Sequence, residues 1–347
     1  MRCAAFAPTP LAMSGNAKSQ IDVDAAVKSV RSGDRVALAR AITLVESQRP
    51  DDHDRAQGLL NRLLPDTGKA IRVGISGVPG AGKSTLIDQL GLNLVAQGHK
   101  VAVLAVDPTS SRSGGSILGD KTRMGRLAME ANAFIRPSPA GDSLGGVTKT
   151  TRETIALVEA AGYDVVLVET VGVGQSETAV SNMVDVFVVV ALPGAGDELQ
   201  GIKRGLLELA DVIAVNKAEG DNVDRANRAA MEYRTALHIL AAGQQNWSPV
   251  VLTVSARDNL YLDELWTKVL ERHAALRESG ALLKRRSAQA VAWMREIFEQ
   301  RLLASFKGSR QAAKQWTQLE DKVRAGDMTP AAAALELSRL VGVKDSE

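Results

Sequence analysis

Ile71-Arg-Val-Gly-Ile-Ser-Gly77-Val-Pro-Gly-Ala-Gly82-Lys83-Ser84-Thr85 decides the reading of this chain. An apolar, strand-like run ends at Ser76, and the nine residues after it hold three glycines, one lysine and two hydroxyls. The pattern G-x-x-x-x-G-K-[ST], placed between a strand and the helical run Lys83 to Ala96, is the context in which such a loop cradles phosphates. Its glycines let successive backbone N–H groups turn inward, and the helix that starts near Lys83 adds its positive end. Gly77, Val78, Pro79, Gly80, Ala81, Gly82, Lys83, Ser84 and Thr85 are the expected phosphate contacts. Lys83 is expected to reach the β and γ phosphates as a point charge, and the Ser84 hydroxyl to ligate magnesium.

Short β-branched runs alternate with helical patterns beyond this loop. The strand candidates are Ile71 to Ser76, Val101 to Val106, Val165 to Glu169, Val186 to Leu192, Val212 to Val215 and Val250 to Val254. Helical patterns fall at Lys83 to Ala96, Thr150 to Ala161, Glu198 to Leu209 and Arg225 to Leu240. This alternation predicts an α/β, doubly wound, mostly parallel sheet over residues 67–280. Residues 21–66 read as an N-terminal helical arm, with Val27, Val30, Leu38, Ala41, Ile42 and Val45 at helical spacing and a break at Ser32-Gly33-Asp34. After Leu260 to Arg277 the pattern is wholly helical through Leu340, with breaks at Gly280, Gly308 and Gly326 to Pro330, giving a C-terminal arm over 281–347. Its stripe Trp293, Ile297, Leu302 and Phe306 is read either as a contact with another subunit or as a layer folded back on its own sheet. Residues 1–20 carry Arg2 and Lys18 without an acid but lack a targeting pattern, and are expected to be a disordered tail.

Composition narrows the function. The 347 residues are 45% hydrophobic, enough for one large domain with extensions. Forty-two basic against 40 acidic residues, scattered along helices, make nucleic acid a poor partner. The apolar run Val184 to Leu192 is interrupted by Asp185 and stops at Pro193, so no membrane span is expected and the chain reads as soluble and cytoplasmic. The single cysteine, Cys3, excludes an internal disulfide or a thiolate metal cage. His53, His99, His238 and His273 form no metal-spaced pair.

Three further segments carry chemistry. Val165-Val-Leu-Val-Glu169-Thr-Val-Gly172 has four apolar residues closed by a carboxylate, as a Walker B strand does. Glu169 is expected to hold magnesium through a water, and the Gly172 N–H to sense the γ phosphate. Asp107 ends the strand Val101 to Val106 at the same sheet edge, a second magnesium neighbour, and the Ser- and Gly-rich stretch from Ser110 to Asp120 suits a loop that orders around a γ phosphate. Asn216-Lys217-Ala-Glu219 and Ser255-Ala256-Arg257 resemble the N-K-x-D and S-A-K elements that select guanine. There the carboxylate accepts from guanine N1–H and N2–H, Lys217 covers the ring and the Ala256 N–H meets the base oxygen. Glu219 stands where aspartate is usual, so GTP is preferred with weakened discrimination.

With these motifs in place the chain resembles the MeaB/ArgK family of P-loop GTPases, metallochaperones for adenosylcobalamin-dependent methylmalonyl-CoA mutase. The resemblance covers nearly the whole chain and rests on Ala105-Val-Asp-Pro-Thr-Ser-Ser-Arg, Gly114-Gly-Ser-Ile-Leu-Gly-Asp-Lys-Thr-Arg-Met, Phe134-Ile-Arg-Pro-Ser-Pro, Val168-Glu-Thr-Val-Gly-Val-Gly-Gln-Ser-Glu and Leu192-Pro-Gly-Ala-Gly-Asp-Glu-Leu-Gln-Gly-Ile-Lys. It implies a homodimer held by the C-terminal arm, with Lys83, Asp107, Asp120, Glu169 and Lys203 in the catalytic set. It also implies a mobile loop from Gly194 to Lys203 whose Asp197, Glu198 and Lys203 couple the nucleotide to the mutase. GTP hydrolysis to GDP and phosphate, with magnesium, would gate adenosylcobalamin loading and protect methylmalonyl-CoA mutase or a related acyl-CoA mutase. An adenosyltransferase is a further implied partner, and the cobalamin is bound only by partners. The rivals are a kinase for a small molecule or a transport protein, and a nickel-insertion GTPase.

Overall fold

The computed structural model describes residues 22–47, 49–106, 124–137, 144–170, 176–193, 204–240, 249–308 and 310–340. Helices α1 (Val23–Arg31), α2 (Arg35–Val45) and α3 (Pro50–Leu63) open it. The Asp22 and Asp34 carboxylates accept from the first N–H groups of α1 and α2, and Pro50 starts α3, where a missing N–H leaves nothing unbonded. The expected break at Ser32 to Asp34 is present, and a second, unexpected one separates Val45 from Pro50.

The alternating region follows as β1 (Ile71–Gly77), α4 (Lys83–Ala96), β2 (Val101–Val106), β3 (Ala133–Arg136), α5 (Leu144–Ala160), β4 (Val165–Thr170), α6 (Ser176–Ser181), β5 (Val186–Ala191), α7 (Arg204–Leu209), β6 (Val212–Val215), α8 (Val223–Leu240), β7 (Val250–Thr253) and α9 (Leu262–Glu278). Helices α10 (Ala281–Gly308), α11 (Arg310–Ala325) and α12 (Pro330–Leu340) complete it. The strands form one seven-stranded parallel sheet in the order β3-β2-β4-β1-β5-β6-β7. Every residue of β2, β4, β5 and β6 is buried, because helices cover both faces, and this is why those strands read as unbroken apolar runs. β3 was not expected: it is four residues long and lies at the sheet edge. Of the helix expected from Glu198 to Leu209, the described part starts at Arg204.

One core joins α1 to α3 to the sheet, with Val30, Leu38, Ile42 and Leu59 packed in the same cluster as Val166, Val168 and Phe187. A fully buried leucine such as Leu59 contributes about 1.5–3 kcal/mol. The other face packs Ile75, Val188 and Val190 against Leu86, Leu90 and Trp266 of α4 and α9.

The start of α10 is fastened to the amino edge of the sheet. Arg286 bonds the buried Asp185 carboxylate and the carbonyls of Gly68 and Ala70, and Arg285 donates to the Asp185 carbonyl. Further along α10, Trp293 and Ile297 are half-buried, with the Arg152 guanidinium 5.7 Å from the Trp293 ring centre. Leu283, Val291, Met294, Phe298 and Leu302 are exposed. The arm thus turns one side to its own domain and another to solvent. No helix among the described residues is long and apolar enough to cross a membrane.

Candidate nucleotide site

The end of β4 and the loops that follow β1, β6 and β7 lie at the carboxyl edge of the sheet, the edge at which doubly wound folds bind ligands. β4 lies on one side of β1 and β5 on the other, so the loop after β1 sits centrally. Gly77 is aligned with Val190 of β5 and has φ of +146°; a Cβ there would stand 2.0 Å from the Val190 carbonyl oxygen. Gly82 precedes α4 with φ of +87°, and its Cβ would meet Asn216 Nδ2 at 2.6 Å. Both positions therefore require glycine.

Lys83, the first residue of α4, is buried with its ammonium inside the loop. Its Nζ donates to the carbonyls of Gly77 at 2.8 Å and Val78 at 3.3 Å. Ser84 Oγ donates to Glu169 Oε1 at 2.8 Å. Register brings this about: Glu169 is paired with Ile75 on β1, two residues before Gly77. Beside it the Thr170 hydroxyl donates to Ser76 Oγ at 2.9 Å, a buried tie between β4 and β1 that the sequence did not point to. Ser84 and Glu169 offer only oxygen, the donor chemistry magnesium prefers. Val78 is half-buried, Ala81 is buried, and Pro79, Gly80 and Thr85 are exposed along the loop.

Asn216 and Ser255 come to the same edge. Asn216 is buried; its Nδ2 donates to the Ala81 carbonyl at 2.8 Å and its Oδ1 accepts from the Ala256 N–H at 3.0 Å. That N–H, expected at the base oxygen, is thus engaged by Asn216 in this structure. Lys217 is exposed with φ of +62°, and Glu219 lies beside it with one buried oxygen, Oε2, that makes no hydrogen bond within the chain. An orphaned buried carboxylate oxygen at this edge fits a donor-bearing base. Ser255 is fully buried and accepts from the Asp258 N–H at 3.1 Å. Arg257 is exposed and grips Asp258, whose carboxyl it holds below the ordinary value through that hydrogen bond.

The structure therefore brings Lys83, Ser84, Glu169, Asn216, Glu219 and Ser255 to one edge. Asp107, Asp120, Gly172, Asp197, Glu198 and Lys203 lie outside the described residues.

A family profile described as methylmalonyl Co-A mutase-associated GTPase MeaB matches residues 38–311. The GTPase ArgK of Escherichia coli K12 is 44% identical over 315 residues, which covers 91% of this chain and 95% of that protein. The mouse protein described as methylmalonic aciduria type A homolog, mitochondrial, is 46% identical over 91% of this chain and 79% of its own length. Among solved structures, one described as LAO/AO transport system kinase superposes with a TM-score of 0.75 at 38% identity, over 94% of this chain and all of that one. The match to the family profile over most of the chain, with 44% identity to ArgK across nearly the full length of both proteins, shows that the chain belongs to the MeaB family of GTPases.

Proposed function

We propose that this chain hydrolyses GTP as the timing step that licenses adenosylcobalamin loading of methylmalonyl-CoA mutase, or a related acyl-CoA mutase, and protects that enzyme. The observation that carries the catalytic part is the Ser84–Glu169 hydrogen bond of 2.8 Å beside the buried Lys83 ammonium. Lys83 neutralises charge on the β and γ phosphates, and the loop's N–H groups orient them. Ser84 and Glu169, with Asp107, hold magnesium, which when bound would offset the negative charge that develops on the transferred phosphate. Asp120 assists at the γ phosphate. Glu219 accepts from the base, Lys217 covers its ring, and Asn216 keeps the base and phosphate loops in register.

Gly172, Asp197, Glu198 and Lys203 respond to the γ phosphate and pass the state of the nucleotide to the mutase; an adenosyltransferase is a further partner. The family profile's description supports the mutase as partner. The exposed stripe Leu283, Val291, Met294, Phe298 and Leu302 supports a homodimer held by the arm over 281–347, apart from a catalytic region over 67–280 and helices over 21–66. The cofactor is held by the partners, and the site of action is the cytoplasm.

The test is phosphate release from labelled GTP with and without added mutase, alongside transfer of label to any acceptor. Free phosphate whose release the mutase accelerates is the expected result. Label appearing on an acceptor would establish a kinase instead, and a rate indifferent to mutase would remove the coupling.

A further inference from the structure

Guanine presents two adjacent donors, and an aspartate carboxylate in an N-K-x-D loop meets both. Glu219 carries one more methylene and one more rotatable bond, so its carboxylate needs a second contact to hold one orientation. Such a contact is present. Glu219 is 11% exposed at its side chain, and its Oε1 lies 3.9 Å from Arg257 Nε. Its Oε2 is the buried oxygen that makes no hydrogen bond within the chain.

Arg257 is fixed from behind. Its Nε donates to Asp258 Oδ1 at 2.8 Å and its second guanidinium nitrogen to Oδ2 at 3.2 Å. Asp258 is tied by its N–H to Ser255 Oγ at 3.1 Å, and Ser255 exchanges backbone hydrogen bonds with Leu260 in both directions. A chain of contacts thus runs from the buried Ser255 through Asp258 and Arg257 to Glu219. The guanidinium is largely exposed, and a pair of this kind adds little to folding stability. What it can do is select which carboxylate oxygen faces the base, and specificity is a difference between affinities that such an orientation controls.

We propose that Arg257 is a positioning residue for base selection: it draws Glu219 by Oε1 and leaves Oε2 directed to the guanine edge, offsetting the longer side chain at this position. The inference rests on the reading of Asn216 to Glu219 as the base site. It assigns to Arg257 a role that a lysine in the S-A-K pattern would fill less well, because the planar fork can hold Asp258 and approach Glu219 at once.

The test compares the parent, Arg257→Ala, Arg257→Lys, Glu219→Asp and the Arg257→Ala/Glu219→Asp double variant. Dissociation constants for GDP, IDP (which lacks the exocyclic amine) and ADP are measured calorimetrically at fixed salt with magnesium. Arg257→Ala is expected to weaken GDP roughly tenfold while ADP changes by less than about twofold, so that GDP and IDP converge. Arg257→Lys recovers part of that loss, and in the Glu219→Asp background Arg257→Ala costs GDP less than about twofold. Equal weakening of all three nucleotides, or an undiminished loss in the Glu219→Asp background, would overturn the proposal. A parent that binds ADP as tightly as GDP refutes the base-site reading itself. A parent that prefers GDP and an Arg257→Ala variant that keeps that preference refute only the role of Arg257.

Discussion

Arg286 of α10 and Asp185 at the foot of β5 form a two-pronged ion pair, with Nε–Oδ1 at 2.8 Å and Nη2–Oδ2 at 2.6 Å. Asp185 is fully buried and also accepts from the Arg72 N–H at 2.9 Å. The guanidinium spends its other donors on the carbonyls of Gly68 at 2.6 Å and Ala70 at 2.7 Å. A single side chain thus fastens the C-terminal helices to β1, the strand that carries the phosphate loop.

Arg286→Ala is expected to lower unfolding stability by about 3–5 kcal/mol, because it strands a buried carboxylate without its main cation. Arg31→Ala removes a pair with Asp66 whose side chains are 48% and 36% exposed, and should cost less than about 1 kcal/mol. Urea midpoints of the two variants against the parent check the contrast.

Gly77→Ala and Gly80→Ala separate crowding from backbone strain. A Cβ at Gly77 would lie 2.0 Å from the Val190 carbonyl oxygen, whereas one at Gly80, at φ of +79°, would meet nothing within 4 Å. Gly80→Ala is expected to cost about 1–2 kcal/mol of backbone strain and to keep nucleotide binding. Gly77→Ala must push the loop from β5 and should weaken GDP by at least roughly 100-fold. Calorimetric titration with GDP, with circular dichroism to confirm folding, reads both.

Ser84→Ala removes the hydroxyl that donates to Glu169 Oε1 at 2.8 Å. Phosphate release is expected to fall roughly 10²–10³-fold, the scale for losing one preorganised polar contact. The dependence of rate on magnesium concentration should shift upward in the same variant, which a titration of release rate against magnesium measures. An unchanged magnesium dependence would leave Ser84 a role in packing alone.

His273 supplies a pH dependence of stability. Its Nε2 is 3.8 Å from Asp185 Oδ2. Burial pushes its imidazole pKa down against the upward pull of Asp185, and Arg286 and Arg277 push it down further. The unfolded chain therefore binds this proton more readily than the folded one. The contribution of His273 is intact above the ordinary histidine value of about 6.5 and declines as pH falls through it toward the lowered folded value. Melting temperature should drop between pH 7 and 5.5 by more in the parent than in His273→Gln. Identical pH profiles for the two proteins would refute this.

The sequence announced the sheet where burial is two-sided, as in Val165 to Val168, whose unbroken apolar run reflects helices on both faces. It concealed β3, since Ala133 to Arg136 is too short for a period and sits at an edge followed by Pro137. It concealed the second break in the N-terminal helices too, although Pro50 at a helix start is a signal of its own kind. At the site, Lys83, Ser84, Asn216 and Ser255 were legible because a fixed local spacing places them. The Ser76–Thr170 tie, the Arg257–Glu219 approach and the Arg286–Asp185 pair were not, because each joins segments whose proximity only the strand order creates.

Asn216 is bonded at both ends of its amide, to the Ala81 carbonyl and from the Ala256 N–H. Three loops, those after β1, β6 and β7, are therefore clipped to one short side chain. The position of each of these loops therefore depends on the other two through that one amide.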